Sequence, residues 1–128
     1  MPFIRVTALG PALTATQIAR LNTEVTSLME SVLGKVAELT SVLVEQPADA
    51  RWTIGGTAVP VAVHVDATVT AGSNTPEQKA LFVERTTTLL KSVFGQRLNI
   101  ATYVVVTEVA ANSWGYDGRT QESRRLSV

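Results

Sequence analysis

The chain has 128 residues and no cysteine, and its 11 basic residues balance its 11 acidic ones. This length suits one compact domain with a hydrophobic core. The lack of cysteine excludes disulfides, thiol chemistry and thiolate metal sites, and one histidine, His64, cannot build a histidine metal cluster. No basic run or membrane-length apolar run is present, so neither nucleic acid nor a membrane is an expected partner. We expect a soluble cytoplasmic protein without a signal peptide.

The first predicted strand, residues 2–9, begins at a proline. Initiator methionine is commonly removed when a small residue follows it, and its removal would leave Pro2 with a free secondary amine. An α-amino group titrates near neutrality, within reach of a general base. Pro2 is therefore a candidate catalytic residue. The alternative is that Pro2 is only a start-site residue, as in many proteins.

Two helices are predicted from capping boxes that lie 61 residues apart, at 14–17 (Thr-Ala-Thr-Gln) and 75–78 (Thr-Pro-Glu-Gln). The second box has Pro76 at the favoured first helical position. Each helix is predicted to end at a glycine, Gly34 or Gly95. Apolar residues recur at helical spacing after each box: Ile18, Leu21, Val25, Leu28 and Val32, then Leu81, Phe82, Leu89, Leu90 and Val93.

Further strands are predicted where Val, Ile and Thr are abundant, at residues 39–44, 59–70 and 100–109. A tryptophan-glycine element follows the second strand of each half, at 52–56 and 114–118. The chain therefore reads as an internal repeat within one domain, 1–128, with a first βαβ unit at 1–58 and a second at 59–128.

Two right-handed βαβ units predict an α/β (α+β) fold, a four-stranded sheet with both helices on one face. The other face has no helix of its own, which predicts self-association through it. A bare βαββαβ order is also typical of the ferredoxin-like topology. A ferredoxin-like ligand-binding dimer is therefore an alternative.

The Pro2 strand, the fused βαβ repeat and the Trp-Thr-Ile-Gly-Gly element at 52–56 together resemble the tautomerase superfamily. Residues 39–44 followed by Ile-Gly-Gly are similar to 4-oxalocrotonate tautomerase. The fused units and residues 44–48 (Val-Glu-Gln-Pro-Ala) resemble cis-3-chloroacrylic acid dehalogenase, and fusion also occurs in malonate semialdehyde decarboxylase. Residues 115–119 (Gly-Tyr-Asp-Gly-Arg) are similar to the C-terminal Tyr-Gly-Arg element of fused members.

The resemblance implies a homotrimer with sites where chains meet, and no metal or organic cofactor. It implies catalysis by the amino-terminal proline, which is a base in tautomerases and an acid in dehalogenases and hydratases. The implied substrates are small carbonyl compounds, keto acids or unsaturated acids. Each chain supplies one such proline, because Pro60, which opens the second unit, is an internal amide.

The chain departs from these families at their carboxylate-binding arginines. Serine, threonine or tyrosine cannot replace the charged planar fork of an arginine. Dehalogenation and malonate-semialdehyde decarboxylation are therefore disfavoured, and a neutral or singly charged carbonyl compound is expected. Iminium formation with an aldehyde is also open to a prolyl amine. Thr70, Ser73, Leu43 and Tyr103 stand at the arginine positions, Met29 replaces the dehalogenase's helix histidine and Tyr116 its C-terminal glutamate.

Each candidate substrate-binding residue has a plainer alternative. Tyr103, on a predicted strand, can donate to a developing enolate or simply be a strand tyrosine. Asp117 before glycine can activate water or form a turn. The Arg124-Arg125 pair reads as a solvated tail. The remaining candidates have turn, packing or structural roles as their alternatives: Ser73, Trp114, Tyr116 and Arg119.

The leading hypothesis is a tautomerase-type enzyme in which Pro2 moves a proton between carbon and oxygen of a carbonyl compound. One alternative is a trimeric binding or scaffold protein that kept the fold and lost the chemistry. Another is a proline-dependent lyase, similar to the hydratases, dehalogenases or decarboxylases.

Overall fold

A computed structural model describes residues 2–126 of the chain. Its elements follow in chain order: β1 (Phe3–Leu9), α1 (Ala15–Ser31), a 3-10 turn (Ala37–Leu39), β2 (Ser41–Glu45), β3 (Thr53–Ile54), β4 (Thr57–Ala58), β5 (Ala62–Thr70), α2 (Pro76–Phe94), β6 (Val104–Val109), β7 (Gly115–Tyr116), β8 (Arg119–Thr120) and α3 (Gln121–Leu126).

The main sheet has four strands in the order β2-β1-β5-β6. β1 runs parallel to β2, β5 runs parallel to β6, and the two central strands are antiparallel. The predicted four-stranded sheet built from two βαβ units is therefore confirmed. The ferredoxin-like alternative is wrong, because the two strands of each unit are neighbours instead of being split by a strand of the other unit.

Both helices pack on one face of the sheet, where alternate strand residues form the core. Ile4 and Val6 of β1 are fully buried there, and so are Val65 and Val69 of β5. The helices contribute Leu21, Val25, Met29, Phe82, Leu89 and Leu90. Most residues of the predicted apolar stripes are buried or half-buried. Two residues of α1 differ from the prediction: Ile18, in the first turn, is 37% exposed, and Met29, which was not predicted in the stripe, is fully buried.

Both predicted capping boxes are formed. Thr14 Oγ1 accepts from the Gln17 N–H at 3.1 Å and Gln17 Oε1 accepts from the Thr14 N–H at 2.9 Å, and Thr75 and Gln78 repeat both bonds. α2 ends at Gly95 as predicted. α1 ends three residues before Gly34, whose φ of 68° turns the chain away from the helix axis.

Strands β2, β5 and β6 begin two to four residues later than their composition predicts. Residues 59–61 and 100–103 have strand-like composition, yet Ile100 is fully exposed and has no neighbouring strand. Residues 37–39 form the 3-10 turn instead of extending β2. In each case a strand requires a partner, and composition does not reveal where pairing starts.

The sheet face opposite α1 and α2 is mixed in character. Arg5 forms an ion pair with Glu45 at 3.4 Å, and Thr107 donates to Asp66 at 2.9 Å. Between these polar groups lie half-buried Phe3 and the 37%-exposed Leu43. α1 and α2 leave these side chains uncovered.

The two tryptophan-glycine elements form small hairpins, β3–β4 and β7–β8. Both central turn residues have positive φ in each hairpin: 62° and 78° at Gly55 and Gly56, 49° and 75° at Asp117 and Gly118. This is the type I′ geometry that suits two-residue hairpins. Among the described helices, none has the length and apolar content needed to cross a membrane.

Candidate active site

One edge of the sheet gathers the start of β1 and the ends of β5 and β6. Phe3, the first residue of β1, pairs with Ser41 of β2 and Thr68 of β5. β5 and β6 are parallel and end together at Thr70 and Val109. The segment after α1 also returns to this edge to enter β2. We call this the proline edge and define it by Pro2, Lys35, Thr70, Ser73 and Trp114.

Pro2 lies at this edge with its ring fully buried. Its carbonyl accepts from the Ser41 N–H at 3.1 Å, which extends the β1–β2 ladder by one bond. The alternation of β1 turns the ring to the same side as Ile4, toward the helices. The sheet therefore fixes the position of Pro2. The predicted removal of Met1 concerns a residue outside the described range.

Lys35 brings a cation to the proline edge. Its Nζ donates to Ser73 Oγ at 2.8 Å, and the Ser73 hydroxyl in turn donates to the Thr70 carbonyl. Within residues 2–126 no carboxylate forms an ion pair with Lys35. Partial burial lowers the pKa of Lys35 from its ordinary 10.5. A half-buried ammonium without a counter-ion is a suitable partner for an anionic ligand.

The loop that carries Lys35 is fixed to the loop after β5. Asn74 Nδ2 donates to the Leu33 carbonyl at 2.8 Å and to Gln78 Oε1 at 3.1 Å. At the helix end, the N–H of Lys35 donates to the Met29 carbonyl at 3.0 Å. These bonds fix the backbone at Lys35, and the bond to Ser73 orients its ammonium group.

Trp114 approaches the proline edge from the second hairpin. Its Nε1 donates to Thr70 Oγ1 at 3.2 Å. The sequence predicted Ser73 and Trp114 independently as binding residues, and the structure links them through Thr70. Both residues are therefore brought to the same edge as Pro2.

The other hairpin candidates are held by one another and by α3. The Arg124 guanidinium lies 3.8 Å from the centre of the Tyr116 ring and donates to the Tyr116 carbonyl at 2.9 Å. Arg119 donates to the Ser123 carbonyl and hydroxyl at 3.2 Å. The prediction of a solvated tail is wrong for Arg124, which is half-buried. Asp117 occupies the turn and is exposed.

Tyr103 lies away from Pro2 within one chain. It precedes β6 instead of lying inside a strand, and its carbonyl accepts from Val65, which pairs with Val6 of β1. Val6 lies four residue steps along the chain from Pro2, about 13 Å at strand spacing. Tyr103 is also 66% exposed. A contact between Tyr103 and a Pro2-bound ligand would therefore have to come from another chain.

The second unit has no equivalent of Pro2. β5 begins at Ala62, so Pro60 lies outside the strand. The 61-residue shift of the repeat places Val63, 2% exposed, at the position of Pro2. Lys35 was not among the residues predicted from the sequence, although its place directly after Gly34 was visible. The contact of Lys35 with Ser73 could not be read from the sequence, because the two residues are far apart in the chain.

The fold and the proline edge define a fused two-unit protein of the tautomerase type, and sequence comparison agrees. The tautomerase enzyme family model matches residues 2–62 and again residues 62–124. The chain therefore belongs to the tautomerase family, which confirms the predicted resemblance. No curated protein shows a significant sequence match to the chain.

Solved structures match almost end to end at low identity. A fused 4-OT described as a wild type asymmetric trimer is 21% identical, with TM-score 0.81 over 98% of this chain and 99% of its own. Pt0534 inactivated by 2-oxo-3-pentynoate is 11% identical, with TM-score 0.84 over 95% and 98%. N1, a member of the cis-3-chloroacrylic acid dehalogenase family, is 17% identical, with TM-score 0.77 over 98% and 91%. At these identities the likeness shows the fold.

Proposed function

We propose that the chain is a cofactor-independent tautomerase that uses Pro2 as general base and acid on a small α-keto acid or its enol. The observation that carries the proposal is the hydrogen bond of Lys35 to Ser73 at the edge where Pro2 precedes β1. Lys35 supplies a cation to a site that lacks the family's arginines. A proton-transferring amine and an anion-binding group then flank one edge of the sheet.

The proposed reaction needs Pro2 as a free secondary amine. Its nitrogen accepts the proton of an enol hydroxyl while the oxygen–hydrogen bond breaks and a carbonyl forms. The same nitrogen then returns the proton to the adjacent carbon, so the amine is regenerated. Burial favours the neutral form of an amine, and the ring of Pro2 is buried. An amine that stays neutral near physiological pH can act as a base.

Lys35 would hold the carboxylate of the substrate through a charge-assisted hydrogen bond. Ser73 already orients the ammonium and has its own hydrogen committed to the Thr70 carbonyl. One ammonium binds as a point charge and not as a planar fork. A single cation of this kind suits a monocarboxylate, which is consistent with the singly charged substrate expected from the sequence.

We also propose that the chain acts as a homotrimer, with neighbouring chains completing each site. The fused 4-OT neighbour, matched over 99% of its own chain, is described as a trimer. In this chain the sheet face bearing Phe3 and Leu43 is left open by the helices. Burying such a face against copies of itself removes apolar surface from water. Tyr103 of an adjacent chain is a candidate for contact with substrate under this proposal.

The test of the proposed function combines intact mass with proton-transfer kinetics. Protein that has lost Met1 should ketonise phenylenolpyruvate, and Pro2→Ala should lower kcat by roughly 10²–10⁴-fold, the usual contribution of a general acid–base. Incubation with 2-oxo-3-pentynoate should add mass to the amino-terminal peptide and abolish activity. Chains that retain Met1 should be inactive, because their Pro2 nitrogen is an amide.

Unchanged activity in Pro2→Ala, or full activity in chains that retain Met1, would show that Pro2 is not the base. A correctly folded trimer with a free Pro2 amine, no activity and no labelling would favour the binding or scaffold alternative. Release of chloride from 3-chloroacrylate, with no ketonisation, would favour the lyase alternative.

A further inference from the structure

A cavity of about 640 Å³ lies at the sheet edge opposite the proline edge, where the second unit begins. Its walls are the segment entering β5 and the segment leaving α2. The volume falls in the range of small-molecule pockets. We call it the second-unit pocket and define it by its lining residues Val59, Pro60, Val61, Phe94, Arg97 and Leu98.

The second-unit pocket has one charged side chain, Arg97, at an otherwise mostly apolar wall. Phe94 and Val61 are half-buried and pack against the core, so the wall is firm. Arg97 is exposed, and within residues 2–126 no carboxylate forms an ion pair with it. The side-chain oxygen of the neighbouring Asn99 accepts a hydrogen bond from the Ala101 N–H at 2.7 Å, so its NH₂ group can donate to a ligand.

The internal repeat relates this pocket to the surroundings of Pro2. A shift of 61 residues carries Gly34 onto Gly95 and Lys35 onto Gln96, one residue before Arg97. Both units therefore place a cation within two residues of the glycine that follows the helix, Lys35 after Gly34 and Arg97 after Gly95. The base is missing from the second unit, because Val63 stands where Pro2 would be and the Pro60 nitrogen is an amide.

We propose that the second-unit pocket binds a small aromatic or branched aliphatic carboxylate without reacting with it. The apolar wall takes the hydrocarbon part, and Arg97 takes the carboxylate through its guanidinium fork. No lining side chain can move a proton, since a guanidinium stays charged at all working pH values. The pocket is a binding site of the second unit, independent of the chemistry proposed for Pro2.

The test is a titration of ¹⁵N-labelled protein with 3-phenylpropanoate, followed by amide NMR shifts at residues 94–99. This probe has no keto group and cannot be turned over. Saturable shifts are expected at Gly95 and Arg97. Arg97→Gln should weaken the affinity about tenfold, as expected for loss of one charge-assisted pair, and Arg97→Lys should recover part of it. The neutral 3-phenylpropanamide should bind more weakly than the acid.

Two control variants separate this site from the proposed active site. Arg85→Gln changes an exposed arginine of α2 that is not part of the pocket lining, and it should leave the affinity unchanged. Lys35→Gln should alter shifts at Ser73 but not the affinity measured at residues 94–99. Binding at residues 94–99 does not depend on enzyme activity. It should be observed whether Pro2→Ala abolishes activity or no variant of the chain is active.

Three outcomes would overturn the proposal. One is the absence of saturable shifts up to about 10 mM probe, beyond any useful affinity. Another is equal affinity in Arg97→Gln and the parent chain. The third is a set of shifts at residues 94–99 that follow protein concentration instead of probe, which would make this surface a contact between copies of the chain.

Discussion

Replacing Lys35 by glutamine tests the proposed anion-binding role of the proline edge most directly. The change removes the ammonium and keeps a polar group that can reach Ser73, now 2.8 Å from Nζ. Two unit charges 4 Å apart at an effective dielectric of 20 attract by about 4 kcal/mol. Lys35 is only partly buried, so screening by water reduces this to about 1.5 kcal/mol, the lower end for a charged hydrogen bond. We therefore expect kcat/KM for phenylenolpyruvate to fall about tenfold.

The assay compares that anionic enol with the enol of its ethyl ester, which has no carboxylate. Lys35→Gln should lower kcat/KM for the acid and leave the ester nearly unaffected, whereas Lys35→Arg should restore part of the loss. Lys79→Gln is the matched control, because Lys79 already pairs with Glu108 at 2.9 Å. Equal losses on acid and ester, or no loss on the acid, would refute a role for Lys35 in holding the carboxylate.

The same variant has a stability signature with a definite sign. Burial lowers the pKa of Lys35 below its ordinary 10.5, so the unfolded chain holds this proton more firmly than the folded chain. The Lys35 contribution to the free energy of unfolding therefore rises with pH between the lowered pKa and 10.5. Lys35→Gln should be neutral or stabilising at pH values below this window, and urea titrations at several pH values measure the difference.

Two further predictions concern the frame that positions the site. Gly115→Ala should destabilise the β7–β8 hairpin, because a Cβ there would lie 1.9 Å from the Arg119 carbonyl oxygen. Faster amide exchange at Gln121, whose N–H donates to the Trp114 carbonyl, would show it. The comparison is Gly118→Asn, which has open space around its Cβ and a residue type that tolerates the positive φ of 75° at this position, and equal effects would contradict the steric cause. Thr75→Ala should lower the free energy of unfolding by about 1 kcal/mol, because the N-cap hydrogen bond of α2 is lost. Thr75→Ser keeps the hydroxyl and should be close to the parent chain in stability. If denaturant titration shows no change in Thr75→Ala, the cap contributes nothing to stability.

Local signals in the sequence predict most of the frame. The capping boxes at Thr14 and Thr75 mark the helix starts to the residue, because the cap bonds span only three positions. The hairpins were also readable from sequence, since Gly55-Gly56 and Asp117-Gly118 are pairs that favour positive φ at both turn positions. Within these pairs, however, a turn was predicted only at Asp117, as the alternative to a catalytic role, and none at Gly55-Gly56.

The site is less predictable, because it depends on contacts between distant residues. Ser73 was identified by position alone, yet its function as the partner of Lys35 joins residues 38 apart. Tyr103 was favoured because it stands at an arginine position, but the start of β6 at Val104 leaves it exposed at the far end of the sheet. No local pattern reveals where pairing with β5 begins, so the surroundings of Tyr103 could not be read from the sequence.

The repeat explains why one unit can carry chemistry and the other cannot. The two units share the capping box, the helix, the glycine that follows it and the hairpin. They differ at the strand entry, where a chain has only one amino terminus: Pro2 can offer a free amine, whereas Val63 is held between peptide bonds. A cation nonetheless follows the helix in each unit, at Lys35 and at Arg97. Under the two proposals, anion binding occurs in both units and proton transfer only in the first.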